Sequence, residues 1–564
     1  MVRQIFRYAV LAGAVGLMAC SEKSLTVTNP NSGETERVLG SPNDAEALIS
    51  GYYKRWMAGV YGTSGNISNI QGEGDVLAMM NYSSLANNCM NTHAPWSGSV
   101  NLNTPGHTCN TEQLRLFSIM GEVERVASNF LKAQAGGLTL GTTARNARAT
   151  AFSEFLRGVS LGYLALVYDS AAVVTPAMDG QDAGKMIGYQ AVAESAYVAL
   201  DRAIIAASAS VSGGDGFPLP SAWIPSGTTL SAAEFIKLAK SYRARFRAQV
   251  ARTGTERAAA KWDLIIADAQ GGLTADHTVI TSTTSGPYLN WQAQYDTYGL
   301  WHQMPPAIIG MGDVSGSYAA WIASPVASRG AGNNQFFMVT PDLRFPQGAD
   351  RPAQIADFLI SSCQTAGSKC KRYFANRNGN DQLAGLGFGW SQYDFVRWHG
   401  WRLAGDAGTG QSGTTVLFAK TEVDMLQAEG LYRKGDYAGA AALVNVTRVK
   451  NGLPAITAFD ATSPMPGGAN CVPKMPVGGT SVQCGTLMEA IKWEKRLETA
   501  YIAFLPWYFD GRGWNDFAVD TPLYWAVPYQ EVQARGGALG SLYGIGPGVG
   551  NAANSGAAKG TYGW

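Results

Sequence analysis

The chain has 564 residues, and its 43 Lys and Arg against 42 Asp and Glu leave a net charge of +1, so it lacks the positive field that draws a protein onto nucleic acid. Charged residues are only 15% and aromatics 10%, while 67 Gly exceed the average usage of about 7%, a composition that suits an exported, loop-rich binding protein. The length admits several domains at about 150 residues each, but no Pro-rich linker or charge block divides the chain, and one unit of two intertwined halves is expected.

The first elements are read from the N-terminus. Arg3 and Arg7 precede a wholly apolar or Gly run from Ala9 to Ala19, the layout of a secretory signal. The run is shorter than the roughly 20 apolar residues needed to span a bilayer, so 1–19 reads as a removed signal peptide. Leu17-Met18-Ala19-Cys20 resembles the lipobox of bacterial lipoproteins, with Met18 larger than usual and Cys20 as the lipidated first residue of the mature chain. A plain signal peptide with an incidental cysteine is the alternative. Acyl chains contribute about 0.8 kcal/mol per buried methylene, and several on one cysteine anchor a protein without a transmembrane helix.

Ser41-Pro42-Asn43-Asp44 is a helix start, after which Ala45, Leu48, Ile49, Tyr52 and Trp56 share a face. Helical periodicity continues over 111–134, 143–169, 187–208 and 256–269, with Ser231-x-x-Glu234 forming a capping box before another helix. Between them "NTHAPWSGSVN" (91–101) sets Trp96 among turn residues. Between about 270 and 415 the periodicity is lost, and long loops with short strands or helices are expected. Within that stretch "GPYLNWQAQYDTYGLWHQ" (286–303) interleaves Tyr288, Trp291, Tyr295, Tyr298 and Trp301 with Asn290, Gln292 and Asp296. Aromatic faces beside amides and carboxylates suit a sugar ring. Steps of three or four residues equally suit a buried helical stripe, although Pro287 and Gly299 make a long helix uncomfortable. "GWSQYDFVRWHGW" (389–401) offers Trp390, Tyr393, Trp398 and Trp401 near Asp394 and Arg397, and its alternation also fits a half-buried strand.

Residues 419–454, "AKTEVDMLQAEGLYRKGDYAGAAALVNVTRVKNGLP", read as a helical hairpin: a helix to Lys434, a turn at Gly435 with Asp436 as N-cap, then a helix stopped by Gly452 and Pro454. Ala428, Gly430, Ala440 and Ala441 permit close approach, as in a tetratricopeptide-like pair, with the earlier helices as degenerate copies. Thr486-x-x-Glu489 reads as a second capping box. Gly- and Ala-rich 536–564 is expected to wrap the surface or fray.

Six cysteines besides Cys20 form three local couples: Cys89 and Cys109, Cys363 and Cys370, Cys471 and Cys484. Disulfides fit an exported chain. At the first couple, Cys89 and Cys109 with His93 and His107 also make a zinc ligand set; the one-residue gap between His107 and Cys109 favours the disulfide, and no resident metal or cofactor is expected. Asn378-Gly379-Asn380-Asp381 lacks the full spacing of a calcium loop and reads as a turn.

The hairpin's E-x-L-Y-R-K-G-D-Y-x-x-A-A-x-L-V-N-x-x-R-x-x-x-G-L-P core resembles the SusD/RagB nutrient-binding outer-membrane lipoproteins. The neighbouring motifs fall in the matching order: Cys20, "NPNS" (29–32), "DAEALISGYYKRW" (44–56), "LAKSYRARFRAQVAR" (238–252), "EKRLETAYIAFLPWYFDGRGWNDF" (494–517) and "TPLYWAVPYQEVQAR" (521–535). The family's late motif reads closer to R-W-F-D-L-R-R-W, whereas Pro506 to Trp514 read P-W-Y-F-D-G-R-G-W here, which marks a divergent branch.

The resemblance implies a mainly α fold, a tetratricopeptide-like scaffold over about 41–270 and 416–515 with a loop-rich ligand-binding half over about 270–415, all one domain from 20 to 564. It also implies a non-catalytic lid that captures oligosaccharide or peptide for a SusC-like, TonB-dependent transporter, tethered by Cys20 to the outer membrane, on its extracellular face. Ser21-Glu22-Lys23 partly matches the acidic tag of surface lipoproteins. A secreted glycoside hydrolase, or an adaptor binding a protein tail in a helical groove, are the rival classes. Against the first, the five histidines form no i, i+4 pair, and neither H-E-x-x-H nor a Walker loop occurs.

Overall fold

Pro42 opens the first long helix, α1 (Pro42–Tyr61), with its φ already set for a first turn. Ser41 is extended as an N-cap should be, but its hydroxyl makes no capping bond. The buried stripe is Ala45, Ile49, Tyr53, Trp56, Met57 and Val60, turned by about one residue from the expected face. Tyr52 is half-buried at its edge, with its hydroxyl 3.5 Å from Glu122. Trp56 fixes the turn of the helix, because its ring lies 5.1, 5.8 and 6.2 Å from those of Tyr53, Tyr163 and Tyr242.

The computed structural model describes residues 35–62, 69–81, 103, 105, 110–178, 182–210, 216–281, 303–325, 328–329, 336–358, 370–376, 391–397, 413–536 and 557–564. The signal segment, Cys20, Cys89, Cys109, Cys363, the two zinc-set histidines and residues 378–381 lie outside them.

After α1 come α2 (Asn110–Ala135), α3 (Thr143–Val167), α4 (Tyr189–Ser210), α5 (Ala232–Gln249) and α6 (Trp262–Gln270), each packed on the one before it. The expected capping box forms at α5: Glu234 N–H donates to Ser231 Oγ, and Ser231 N–H donates to Glu234. Late in the chain the stack resumes with the hairpin α8 (Lys420–Arg433) and α9 (Tyr437–Lys450), which packs on α10 (Leu487–Thr499). Asp436 caps α9 by accepting from Gly439 N–H at 2.8 Å. Gly430 faces α6 rather than α9: a Cβ there would stand 2.6 Å from Ile266 Cγ1. Ala428, Ala440 and Ala441 do line the hairpin's own core, with Met425, Val444 and Ile491.

Buried ion pairs bind the early helices to the late ones. Arg245 on α5 grips Glu422 on α8 with two bonds of 2.8 and 2.7 Å, and both side chains are buried. Arg257 does the same to Glu429 at 3.0 and 2.6 Å and also reaches Asp510 in α11 (Pro506–Gly513). Bidentate geometry leaves few unsatisfied lone pairs, the condition under which a buried pair holds.

The strands form two-stranded antiparallel ladders: β1 (Ser170–Ala172) with β2 (Met186–Gly188), β3 (His277–Thr281) with β6 (Gly413–Phe418), β4 (Phe374–Asn376) with β5 (Tyr393–Phe395), and β7 (Lys474–Val477) with β8 (Ser481–Cys484). In the second, His277 pairs with Phe418 and Thr281 with Gly413, so the chain between them leaves and re-enters through one neck. Beyond that neck lie β4, β5 and α7 (Arg351–Asp357).

The late motif joins the two halves. Arg344 bonds to Asp342 and to Glu494 on α10, Trp493 Nε1 donates to Asp342, and Glu498 takes Tyr373 and Arg397. Phe345 stacks on Phe374 at 4.2 Å. The second expected capping box does not form, because Glu489 is buried and committed to Tyr562 and Lys492, leaving Thr486 without a side-chain cap. Tyr562 and Trp564 are buried as well, so the described end of the chain is fastened. Cys471 and Cys484 form the expected disulfide, and Cys370 is disulfide-bonded. Among the described residues no helix is long and apolar enough to cross a membrane.

Candidate functional site

Gln354 is the residue around which the loop-rich half organises a cavity. It sits on α7, whose first turn is capped by Asp350 accepting from Ala353 N–H at 2.8 Å. The loop before α7 comes so close that a Cβ on Gly348, at φ +153°, would lie 2.8 Å from Gln354 N. The Gln354 amide NH2 donates to the carbonyls of Met338 (2.8 Å) and Gly348 (3.1 Å). Its Oε1 therefore faces the β4–β5 ladder, where it accepts from Asn376 Nδ2 at 3.0 Å and from Tyr393 Oη at 2.8 Å.

This chain of bonds fixes the orientation of Asn376. One N–H of its amide goes to Gln354, which sets Oδ1 on the other side, and that buried oxygen has no hydrogen-bond partner. Gln392, just ahead of β5, is buried too, and its Nε2 also lacks a partner. Both residues belong to the lining of a cavity of about 340 Å³ with Phe336, Phe337 and Ala349, while Asp350 and Arg351 supply one charge of each sign. Phe336 is backed by Tyr318, which stacks on Trp321. The volume lies at the small end of ligand pockets, about 300–1,000 Å³. Apolar walls with a few directed polar groups are what such pockets present.

Two other cavities differ in kind. One of about 210 Å³ lies where α8, α9 and α10 meet, and four of its charges pair, Lys420 with Asp424 and Arg397 with Glu498. The other, about 370 Å³, is an open hollow on α1 and α3, where Glu46 bridges Arg145 and Arg148 and the latter lies 4.9 Å over Trp223.

Of the aromatic residues proposed from sequence, Trp96, Tyr288, Trp291, Tyr295, Tyr298, Trp301 and Trp390 lie outside the described residues. Tyr393 is described, and it corrects the reading of its ring as an exposed contact. It is fully buried in β5, and its hydroxyl meets Met338 and Gln354, one hydrogen bond behind the cavity wall. Burial raises that hydroxyl's pKa further above its ordinary value near 10. The strand alternative for this stretch is the one observed at 393–395. Asn376, Phe336, Phe337 and Arg351 were not singled out, since an unpaired amide is visible only once its neighbours are placed. Gln392 stands inside the "GWSQYDF" stretch, where aromatic rings dominate the pattern.

Among the described residues no group of His, Cys, Asp and Glu is arranged to hold a metal. A G-x-S-x-G match at 158–162 lies inside α3. Its glycines pack against Leu200 and Phe246, and Ser160 is fully buried, so it is a helix-packing pattern and not a nucleophile turn.

No protein-family model matches the chain, and no curated protein matches it. Solved structures do. A SusD homologue from Bacteroides vulgatus aligns over 89% of this chain and 95% of its own at 9% identity with a TM-score of 0.51. A SusD superfamily protein from Bacteroides thetaiotaomicron aligns over 87% and 96% at 14% identity and 0.46, and a laminarin-binding SusD-like protein over 87% and 97% at 14% identity and 0.42. At such identities the likeness is one of fold, and the first of the three carries it. The mainly helical chain has the SusD-like fold.

Proposed function

We propose that the protein is a non-catalytic, lipid-anchored nutrient-binding protein of the outer membrane that captures oligosaccharide or peptide in its loop-rich half and delivers it to a SusC-like, TonB-dependent transporter. The observation that carries the reading is the cavity behind the β3–β6 neck, lined by two phenylalanines, two amide residues and one charge of each sign. The fold, the lipobox at Cys20 and the late motif that ties the loops to the scaffold support it. Cleavage of a glycosidic bond uses two carboxylates, whereas the described lining of this cavity offers Asp350, already engaged as a helix cap. The bonds that position Gln354 and Asn376 serve recognition, not chemistry. Trp96, Tyr288, Trp291, Tyr295, Tyr298, Trp301 and Trp390 remain proposed contacts for a longer ligand.

The test is purification of the lipidated protein from native outer membrane, with identification of what accompanies it. A stoichiometric TonB-dependent barrel, lost on Cys20→Ala, supports the reading and directs glycan and peptide arrays to Trp96→Ala and Trp301→Ala. The protein recovered alone, with polysaccharide turnover in the same fractions, contradicts it.

A further inference from the structure

Resting on the capture reading above, we infer that Glu498 is a positioning residue for the cavity beside α7, acting from outside it: its carboxylate clamps the outer end of the β4–β5 ladder, whose inner end forms part of the cavity lining. The ladder pairs Phe374 with Phe395 and Asn376 with Tyr393. Asn376 and the adjacent Gln392, at the inner end, belong to the lining. The outer end is extended by Val396 N–H, which donates to Tyr373 O at 2.7 Å. Three residues of antiparallel strand at about 3.4 Å each separate Tyr373 from Asn376 by about 10 Å. Both strands then end on one buried side chain of α10. Tyr373 Oη stands 3.0 and 2.9 Å from the two Glu498 oxygens. Arg397 pairs with the same carboxylate at 3.1 Å and donates to the Glu498 carbonyl at 3.0 Å, with its guanidinium 4.0 Å from the Tyr373 ring. Asn451 Nδ2, at the end of α9, reaches Glu498 at 3.3 Å.

A two-stranded ladder is marginal by itself, so its place is set by what grips its ends. Gln354 grips the inner end through Asn376 and Tyr393, and Glu498 grips the outer one. The ground beneath the outer end is strained. The Phe395 ring lies 5.0 Å from that of Tyr501, and Tyr501, Ala503 and Leu505 hold φ of +53°, +64° and +56° without being glycine. Such backbone persists only where its surroundings over-determine it. Ile502, between them, lines the 210 Å³ cavity together with Arg397 and Glu498. That space gives the turn room to shift once the clamp opens, so its loss moves the ladder instead of merely deleting a bond. Arg344 keeps its own bonds to Asp342 and Glu494, which confines the release to the ladder.

Amide hydrogen exchange on the full lipidated protein in detergent, with no ligand added, tests the inference by comparing wild type with Glu498→Gln, Tyr373→Phe and Asp436→Ala. Exchange in 374–376, 391–395 and α7 is expected to rise at least about fivefold in Tyr373→Phe, which deletes one hydrogen bond, and further in Glu498→Gln, with α8 unchanged in both. If Glu498→Gln does not fold, Tyr373→Phe decides, since it removes a single hydroxyl and keeps the ring beside Arg397. Asp436→Ala weakens the fold by a comparable amount through the α9 cap and should leave the ladder and α7 as they are in the wild type. Unchanged exchange at 391–395 and α7 in Tyr373→Phe overturns the inference, and so does equal loosening there in Asp436→Ala. The measurement needs no nutrient, so its failure is separate from that of the capture reading: a transporter partner recovered beside unchanged exchange would remove the clamp alone.

Discussion

The ion pairs that join the scaffold helices and the amides beside the loop-half cavity are two different uses of buried polar groups. On the scaffold, Arg245 and Glu422 satisfy each other with two short bonds, and Arg257 and Glu429 do likewise. In the loop half, Asn376 Oδ1 and Gln392 Nε2 are equally buried and satisfied by nothing in the described chain. A buried pair broken on one side leaves a charge without a partner. A buried group unpaired from the start is a cost the fold carries until something binds. Unpaired buried atoms occur in the scaffold too, at Trp56 Nε1 and Ser153 Oγ, so what sets the loop-half amides apart is the cavity beside their residues.

Three substitutions and the loss of one disulfide break or sharpen this contrast. The largest effect is expected at the scaffold pairs: Glu422→Ala strands the Arg245 guanidinium and should cost about 3–5 kcal/mol in urea unfolding. Loss of the Cys471–Cys484 bridge, which closes a separation of 13 residues, should cost about 3 kcal/mol on the chain-entropy model, read from the same transition. It affects the neighbourhood of α10 without touching either kind of buried polar group. Asp436→Ala removes the α9 N-cap and should cost about 1 kcal/mol. The smallest change belongs to Gln392→Met, because its donor has no bond to lose. Its unfolding midpoint should stay within about 0.5 kcal/mol of the wild type.

A pH series probes the neck between the regions. Burial, with Arg245 nearby, lowers the His277 imidazole from 6.5 to about 4. The unfolded chain binds this proton more readily, so the stability held by neutral His277 is complete above about pH 6.5 and lost as pH falls toward 4. The difference between wild type and His277→Asn should change by about 3 kcal/mol across that window. A flat difference would show that β3 does not bury the ring.

How much of this was legible in the sequence depended on how local the cause was. The hairpin turn at Gly435 and Asp436 and the box at Ser231 and Glu234 are bonds among near neighbours, and both stand as read. The α1 stripe was one residue off because Tyr53 and Tyr52 are alike to periodicity, and Trp56's contacts with Tyr163 and Tyr242 decide between them. Thr486 and Glu489 had the right spacing but lost the acid to Tyr562, far along the chain. The Arg344–Glu494 contact spans 150 residues, and no spacing rule reaches it. The candidate cavity is of this second kind, since the orientation of Asn376 in its wall is set by Met338, Gly348 and Gln354.

The most direct test is amide hydrogen exchange on the full lipidated protein, with and without the glycan that an array identifies. Protection on binding is expected in 336–358, 370–376 and 391–397, with the scaffold helices α2 to α5 unchanged. Protection confined to the scaffold, around the Glu46, Arg148 and Trp223 hollow, would contradict the placing of recognition in the loop-rich half.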